Sequence, residues 1–294
     1  MSLTPLYVVT LNWNLKGETI ACVESVLAAG AVPEQVVVVD NGSTDGSAGA
    51  FRSHFGPGLA LIQNQQNLGF AGGMNAGIQH ALEQGAASVL ILNNDTVIDP
   101  RMIESLQTAY NTLDRPGILG PAIYYYDAPE RLWKLGDVRR AWLPMPVPVR
   151  SIPGIPDAPS PFRVDYVTGC GMLVHRQVFE RIGLFDTQYF MYFEDADLCR
   201  RALDAGFTVW CVPQAKMWHK VSLTAQRDRP TNRYHRALGQ VRFYRKHPHG
   251  PSKALRNAYI AAKLGKTMLA DVWRHEWSLI GPLWKGTIDG YREL

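Results

Sequence analysis

Glu194, Asp195 and Asp197 lie close together in the run YFMYFEDAD. Neighbouring carboxylates raise one another's proton affinity, and the aromatic residues before them reduce contact with water, so one of them is suited to accept a proton near neutral pH. The cluster therefore predicts a general base. A helix N-terminus that attracts acidic residues is the alternative, and Asp197 fits that alternative best, paired with Arg200 or Arg201.

Single polar residues after apolar runs suggest a second kind of chemistry. Asp95 follows the apolar run 89–92, and a carboxylate there predicts a ligand for Mg²⁺ or Mn²⁺, which prefer oxygen; a helix-capping aspartate is the alternative. Asp40 follows four valines at 36–39 and is suited to accept from a pyrimidine imide or a ribose hydroxyl, unless it belongs to a turn. His219 joins the metal site only if the fold brings it to Asp95.

Glycines precede a predicted helix in the run NLGFAGGMN at residues 67–75. Backbone N–H groups at such a helix start can bind phosphate or another anion. The run fits neither GxGxxG nor GxxxxGK[ST], so a dinucleotide fold or a phosphate loop is not indicated.

The elements that must position these residues alternate along the first hundred positions. Strands are predicted at residues 6–11, 36–39, 59–63 and 89–92, with helices at 17–29 and 71–83. This alternation predicts an open α/β sheet whose ligand lies beyond the carboxyl ends of the strands. The polar residues described above follow those strands directly.

The second half of the chain is less regular. Strands are predicted at residues 118–126 and 207–212, an ordered segment at 164–174, helices at 177–182 and 195–205, and further helix from Tyr234 with an interruption at 247–251. The Pro-rich stretch 143–161 predicts a loop or lid.

Composition fits an ordinary folded soluble protein: 294 residues, 46% hydrophobic and 19% charged. No run of about 18 apolar residues occurs, and the N-terminus resembles a first strand and not a secretion signal. The cysteines lack zinc spacing, which favours reduced thiols and a cytoplasmic location. They are Cys22, Cys170, Cys199 and Cys211.

Charge is divided unevenly along the chain. Residues 231–294 carry 12 Lys and Arg against 4 Asp and Glu, whereas the first 230 residues carry 18 against 22. The basic charges are spread among tryptophans and form no polybasic run, so nucleic acid is not an expected partner. Three interpretations of this tail stay open: docking on an anionic membrane face, a helical cap over the acceptor half, and a homodimer interface.

Seven motifs, in order along the chain, resemble the family-two glycosyltransferases and especially their rhamnosyltransferase-like branch. They are VVTLNWN at 8–14, VVVVDNGSTDGS at 36–47, NLGFAGGMNAG at 67–77, LILNNDT at 90–96, TGCGMLVHR at 168–176, FDTQYFMYFEDADLCRRALDAGF at 185–207, and His219. The resemblance covers about three quarters of the chain.

The resemblance implies the GT-A fold, a Rossmann-like nucleotide-binding α/β sheet joined to an acceptor-binding half. Residues 1–230 would form the catalytic domain and 231–294 a basic helical C-terminal extension. The implied activity is an inverting, metal-dependent transfer of a sugar, with rhamnose from dTDP-rhamnose favoured. The donor is a nucleoside diphosphate sugar, the acceptor a saccharide or lipid-linked saccharide, and the product a bacterial cell-surface polysaccharide or glycolipid.

The resemblance also implies roles for individual residues. Asp195 would be the base, and Glu194 would orient the sugar or acceptor. A divalent cation, Mg²⁺ or Mn²⁺, would bind to Asp95 and His219. The nucleoside would be held by Thr10, Asn12, Asp40, Asn67 and Asn93, and the donor sugar by Gly169, Cys170 and Gly171.

One position departs from the family pattern. Asn93 occupies the first acidic position of the DxD metal motif, which leaves Asp95 as the carboxylate of that loop. Two other interpretations stay open: an inactive relative that serves as a binding or scaffold subunit, and a sugar-nucleotide pyrophosphorylase. The intact Glu194–Asp195 pair argues against the first, and the lack of a Gly-rich basic loop near the N-terminus against the second.

Overall fold

The computed structural model describes residues 3–139, 147–149, 160–221, 228–248 and 252–292. Most of the predicted Pro-rich loop at 143–161 lies outside the described residues, as do positions 249–251 of the predicted helix interruption. Within that loop, residues 147–148 form a short strand, which the proline content did not predict.

The elements alternate as the sequence predicts for an α/β sheet. The helices are α1 (Lys16–Ala28), α2 (Ser47–Phe55), α3 (Gly69–Glu83), α4 (Met102–Tyr110), α5 (Arg176–Ile182), α6 (Glu194–Asp204), α7 (Arg229–Lys246), α8 (Lys253–Trp273) and α9 (Ile280–Arg292). The strands are β1 (Leu6–Asn12), β2 (Val36–Asn41), β3 (Ala60–Asn64), β4 (Ser88–Asn93), β5 (Thr96–Ile98), β6 (Pro116–Tyr125), β7 (Leu132–Lys134), β8 (Asp137–Val138), β9 (Val147–Pro148), β10 (Phe162–Val164), β11 (Gly171–His175) and β12 (Thr208–His219).

The main sheet of the described residues has the order β10-β12-β6-β11-β4-β1-β2-β3. Strands β4, β1, β2 and β3 are parallel, and β11 runs antiparallel to β4. The four valines at 36–39 are fully buried between helices on both faces of the sheet, as expected for a central parallel strand. The predicted α/β class is confirmed.

Register places the polar strand ends at one edge of the sheet. Asn12 pairs with Asp40, and Leu11 pairs with Asn93, so β1, β2 and β4 end side by side. Strand β11 starts at Gly171 opposite Leu92. The turn before β11 therefore lies at the same edge as the ends of the parallel strands.

Strand β12 is longer than the predicted 207–212. A register shift between Val212 and Lys216 accommodates Pro213, and the strand continues to His219. Proline inside a strand is tolerated at such irregularities, which is why a predicted end at Val212 was too early. The continuation pairs His219 with Thr96 of β5, one residue from Asp95.

Helices follow the sheet at the C-terminal end. Helix α7 packs against α9, and a separate core joins α6, α7 and α8 through Tyr189, Val241, Phe243, Tyr244 and Ile260. None of the described helices is long and apolar enough to cross a membrane.

Candidate active site

The carboxyl ends of β1, β2 and β4 open onto a cavity of about 1030 Å³. Eight of the residues predicted to form the site line it, namely Asn67, Asn93, Asp95, Gly169, Cys170, Glu194, Asp195 and His219. The other four, Thr10, Asn12, Asp40 and Gly171, do not line this cavity. The structure therefore brings the predicted base and metal residues into one space.

Asp195 lies in the first turn of α6, and its carboxylate accepts three hydrogen bonds. Oδ2 accepts from the Tyr166 hydroxyl at 2.8 Å and from the Gly169 backbone N–H at 2.9 Å, and Oδ1 accepts from the Ala196 N–H at 2.8 Å. A carboxylate offers about four acceptor positions. One position, on Oδ1, is left for another donor.

The turn before α6 fixes the direction in which this helix starts. Tyr192 and Phe193 both have positive φ, at 69° and 74°, a conformation that costs non-glycine residues free energy and is common at functional sites. The Tyr192 carbonyl lies against Gly239 of α7, where a Cβ would come within 2.8 Å of it. Packing against α7 therefore helps to hold the strained turn.

Glu194 is buried beside Asp195. Burial, and then the neighbouring charge of Asp195, raise the pKa of Glu194 well above its ordinary value. Its Oε2 atom is buried and has no hydrogen-bond partner among the described residues. The pair therefore combines a Glu194 whose protonated form is favoured with an Asp195 carboxylate that accepts three hydrogen bonds.

Asp197 is the structural member of the acidic cluster, in agreement with the prediction. Its side chain is fully buried and accepts from Arg201 at 2.7 Å. It also meets two residues at the end of α7, Lys246 and His247, each at 2.8 Å. These partners lower the pKa of Asp197 to about 2 despite its burial.

Asp95 and His219 form a buried pair in the same cavity. His219 Nε2 lies 3.1 Å from Asp95 Oδ1. Burial disfavours the charged ring, but its neighbours Cys170 and Asp95 raise the pKa of His219 to about 10. Because burial also raises the pKa of the Cys170 thiol and keeps it neutral, Asp95 is the charge that stabilises this proton.

The pair fits a divalent cation. His219 Nδ1 is buried and makes no hydrogen bond among the described residues, and the contact of Asp95 Oδ1 with His219 Nε2 lacks good hydrogen-bond geometry. No group of three or more His, Cys, Asp or Glu residues in the described part forms a metal cage. Mg²⁺ and Mn²⁺ accept few protein ligands when substrate phosphates and water complete the coordination, so two protein ligands suit a shared site.

Three residues predicted to hold the nucleoside lie behind the cavity wall. The Asn12 side chain is fully buried and donates to Asp40 Oδ1 at 3.1 Å and to Ser43 at 3.0 Å. Thr10 Oγ1 is buried without a hydrogen-bond partner among the described residues. Their predicted contact with the nucleoside stays a prediction.

The start of α3 differs from the predicted anion site. Asn41 Oδ1 accepts the Leu68 N–H, Asn67 Oδ1 accepts the Gly69 N–H at 2.8 Å, and the Phe190 carbonyl accepts the Phe70 N–H at 2.7 Å. These three donors are bonded within the protein and are not free for phosphate. The glycines instead allow close packing.

The turn before β11 serves both the cavity and the core. Gly169 lies against Asp195 and Phe70, and a Cβ there would sit 3.4 Å from each of them. Cys170 lines the cavity. A side chain at Gly171 would collide with Met217 of β12, so this glycine is explained by packing.

Sequence patterns missed several residues of the cavity wall. Tyr166, the donor to Asp195, lies in an irregular segment between β10 and β11. Arg139, Arg236 and Lys263 also line the cavity, and they come from three separate segments. Trp13 also lines the cavity. Its place inside the VVTLNWN motif is a sequence signal by which it could have been found.

Comparisons with known proteins agree with this geometry. A profile of the family described as "Glycosyltransferase like family 2" matches residues 4–247. The chain is 30% identical over 224 residues to the N-acetylglucosaminyl-diphospho-decaprenol L-rhamnosyltransferase of Mycobacterium tuberculosis, covering 67% of this chain and 69% of that protein. It is 24% identical over 271 residues to the dTDP-rhamnosyl transferase RfbF of Shigella flexneri, covering 88% and 86%.

A solved structure supports the fold. The mannosyltransferase PcManGT from Pyrobaculum calidifontis, in complex with GDP-Man and Mn²⁺, is similar with a TM-score of 0.60 at 18% identity, covering 97% of this chain and 86% of that chain. The sheet and its cavity thus define a GT-A glycosyltransferase. The chain belongs to glycosyltransferase family 2 and is of the rhamnosyltransferase type, which confirms the resemblance read from the sequence.

Proposed function

We propose that this glycosyltransferase moves rhamnose from dTDP-rhamnose to a hydroxyl group of a saccharide or lipid-linked saccharide, with inversion at the anomeric carbon. The observation that carries the proposal is the Asp195 carboxylate, which faces the cavity with three hydrogen-bond donors and one open position. The names of the two relatives, both rhamnosyltransferases, support the donor.

Asp195 acts as the general base in a single displacement. The acceptor O–H donates to the open position on Oδ1, and the proton moves to Asp195 as the acceptor oxygen attacks the anomeric carbon. The new carbon–oxygen bond forms as the bond to the diphosphate breaks, and the diphosphate leaves with the electron pair. Attack opposite the leaving group inverts the anomeric carbon.

Glu194 positions the substrate in this scheme. Its raised pKa favours the protonated form, which can donate a hydrogen bond to a sugar or acceptor oxygen. Its Oε2 atom has no hydrogen-bond partner among the described residues, and a buried polar atom in that state costs about 1–3 kcal/mol. A substrate hydroxyl would satisfy it.

Asp95 and His219 would hold Mg²⁺ or Mn²⁺. When bound there, the cation supplies Lewis-acid neutralisation of the departing diphosphate. Asn93 lines the cavity together with Asp95. It presents an amide there, and not a second carboxylate. We propose that Asn93 and Asn67 contact the nucleotide directly.

Thr10, Asn12 and Asp40 would support the nucleotide site from behind. The Asn12–Asp40 hydrogen bond of 3.1 Å joins the ends of β1 and β2, and Ser43 completes this network. We propose that it shapes the nucleoside pocket. The turn at Gly169, Cys170 and Gly171 would form the wall beside the donor sugar.

Substitution of Asp195 tests the base. Asp195→Asn should keep nucleotide binding and lose transfer by about 10²–10⁴-fold. The control is Asp114→Asn, which removes the same charge from an exposed carboxylate outside the cavity; it should keep activity within a few-fold. Full transfer by Asp195→Asn would remove the base assignment, and no transfer by the unaltered enzyme would favour an inactive binding or scaffold subunit.

Metal and donor are tested together. A chelator should reduce turnover by at least about 100-fold, and added Mn²⁺ or Mg²⁺ should restore it. dTDP-rhamnose should stabilise the protein in thermal denaturation more than UDP- or GDP-sugars, by about 2.7 kcal/mol at a hundred times its Kd. Full activity with chelator would exclude Asp95 and His219 as essential metal ligands.

We further propose that residues 1–230 form the catalytic unit and that the helical extension 231–294 contacts the cytoplasmic membrane face, where a lipid-linked acceptor would be found. Large apolar side chains are exposed on it: Leu269 (67%), Trp273 (81%), Trp277 (59%) and Trp284 (51%). Tryptophan favours the boundary between apolar and polar lipid regions.

The charges of the extension also favour an anionic surface. Its three described acidic residues after Ser252 all have partners: Asp271 pairs with Arg233, Glu276 with Arg229, and Asp289 with the Tyr234 hydroxyl. The Lys and Arg residues that remain would each gain about 1 kcal/mol near an anionic lipid surface.

Vesicle binding tests this contact. The full chain should co-sediment with vesicles that contain phosphatidylglycerol, and Trp273→Ala with Trp277→Ala should release it. The control is Trp210→Ala, a half-buried tryptophan outside the extension. If the chain ignores vesicles and instead migrates as a dimer that the extension variant dissociates, the exposed surface is a homodimer interface.

A further inference from the structure

Three cationic side chains line the cavity without a carboxylate partner. Arg139 follows β8, Arg236 lies on α7 and Lys263 lies on α8. None of the three forms an ion pair within the described part of the chain. Other cations that line the cavity or lie on α6 are paired: Arg200 pairs with Asp204, and Arg201 with Asp197.

Two of these cations, Arg139 and Lys263, are partly buried, whereas Arg236 is exposed. Burial lowers the pKa of Lys263, and nearby Arg236 lowers it further. Burial and then Arg200 lower the pKa of Arg139, although Asp165 acts in the opposite direction. Like charges in a partly desolvated space repel one another, and this cost would be offset by a bound anion.

These cations belong to a different part of the cavity from the Asp95–His219 pair. Arg236 lies over the Tyr192 ring at 4.5 Å, in the turn that leads into α6. Arg139 interacts with α6 and α7 through Arg200, Asp204 and Tyr244. Helix α7, which carries Arg236, packs against α6, so an anion bound beside Arg236 would lie on the helical side of Asp195.

We propose that Arg139, Arg236 and Lys263 form a subsite for a phosphate or diphosphate group carried by the acceptor. The inference rests on the proposed function, because it assumes that the acceptor hydroxyl meets Asp195. The donor also carries a diphosphate, but its leaving group belongs beside Asp95 and His219. The acceptor is therefore the phosphate source that the placement favours.

Acceptor kinetics test the subsite. Two probes share one sugar: N-acetylglucosamine with a hexyl diphosphate on its anomeric oxygen, and the uncharged hexyl glycoside. Lys263→Gln and Arg236→Gln should each raise KM for the diphosphate acceptor by about tenfold or more, since hydrogen bonds to charged groups contribute about 1.5–3 kcal/mol. KM for the uncharged acceptor and for the donor should change by less than about twofold.

The control is Lys266→Gln, which removes the same charge from the exposed face of α8, three residues away and outside the cavity. It should leave all three KM values unchanged. Equal KM values for both acceptors in the unaltered enzyme, or equal effects of Lys263→Gln and Lys266→Gln, would overturn the subsite.

A binding measurement separates failure of the subsite from failure of the proposed function. With dTDP and Mn²⁺ at saturation on the donor side, titration with inorganic pyrophosphate should show a further site. The affinity of that site should fall about tenfold or more in Lys263→Gln and Arg236→Gln but not in Lys266→Gln. If transfer to both acceptors is absent, this titration still decides: an unaltered affinity in the two variants refutes the subsite.

Discussion

The ion-pair network of Asp197 gives the most direct prediction of stability. Asp197 is fully buried and meets Arg201 from its own helix and Lys246 and His247 from the end of α7. Its pKa is about 2, against an ordinary value of 3.8. At about 1.4 kcal/mol for each pKa unit, the ionised side chain stabilises the folded state by about 2 kcal/mol at neutral pH.

The sign of the pH dependence follows from the lowered pKa. A carboxyl group whose pKa is lower in the folded state than in the unfolded chain contributes stability above about pH 4, and the contribution is lost as the pH falls towards 2. Asp197→Asn should therefore reduce the free energy of unfolding by at least about 2 kcal/mol at pH 7. The gap to the unaltered protein should narrow to about half near pH 3.

Urea unfolding from pH 7 to pH 3 measures this gap. The matched control is Asp204→Asn on the same helix, where Asp204 pairs with Arg200 but is 48% exposed; its effect should stay below about 0.5 kcal/mol. A gap for Asp197→Asn that does not change with pH would refute the ionic explanation. A gap no larger than that of the control would refute the network altogether.

Three further outcomes are expected. Gly69→Ala should lose more than about 2 kcal/mol of unfolding free energy, because Gly69 has φ of 75° and a Cβ would collide with the Phe190 carbonyl; Gly49→Ala, which meets open space, is its control in urea unfolding. Because the raised pKa of Glu194 means that stability is lost as pH rises, Glu194→Gln should gain on the unaltered protein between pH 5 and pH 8 in the same assay; a constant difference would contradict this. Buried thiols such as Cys22, whose pKa burial raises to about 11, should resist a thiol-reactive disulfide at pH 8 until the protein unfolds; rapid labelling of the folded protein would contradict it.

The sheet could be predicted from sequence because its signals are local. Four valines at 36–39 are long enough and apolar enough to indicate a strand buried on both faces. Parallel strands must end at one edge, so Asp95 could be placed near the cavity before the fold was known. The edge strand β3 is half-buried except at the exposed Gln63, and its apolar pattern in the sequence is correspondingly weaker.

The wall of the site could not be predicted in the same way. Tyr166 donates to Asp195 from an irregular segment 29 positions away, and no periodicity marks such a residue. His219 meets Asp95 because β12 continues past Pro213, where sequence rules favour a strand end. Strand alternation also turns Thr10 and Asn12 away from the cavity, although the motif that contains them lies beside it.

The contacts of α6 link Asp195 to the distant helical extension. The pair of Asp197 with Arg201 has helical spacing and could be predicted, but the contact of Asp197 with His247 joins residues 50 positions apart. Gly239 of α7 lies against the strained Tyr192 carbonyl at the start of α6. Helix α7 thus contacts the turn that precedes α6, and the residues at its end contact Asp197 in the first turn of α6. The position of Asp195 is therefore a property of both segments, and loss of the Asp197 network should weaken transfer as well as stability.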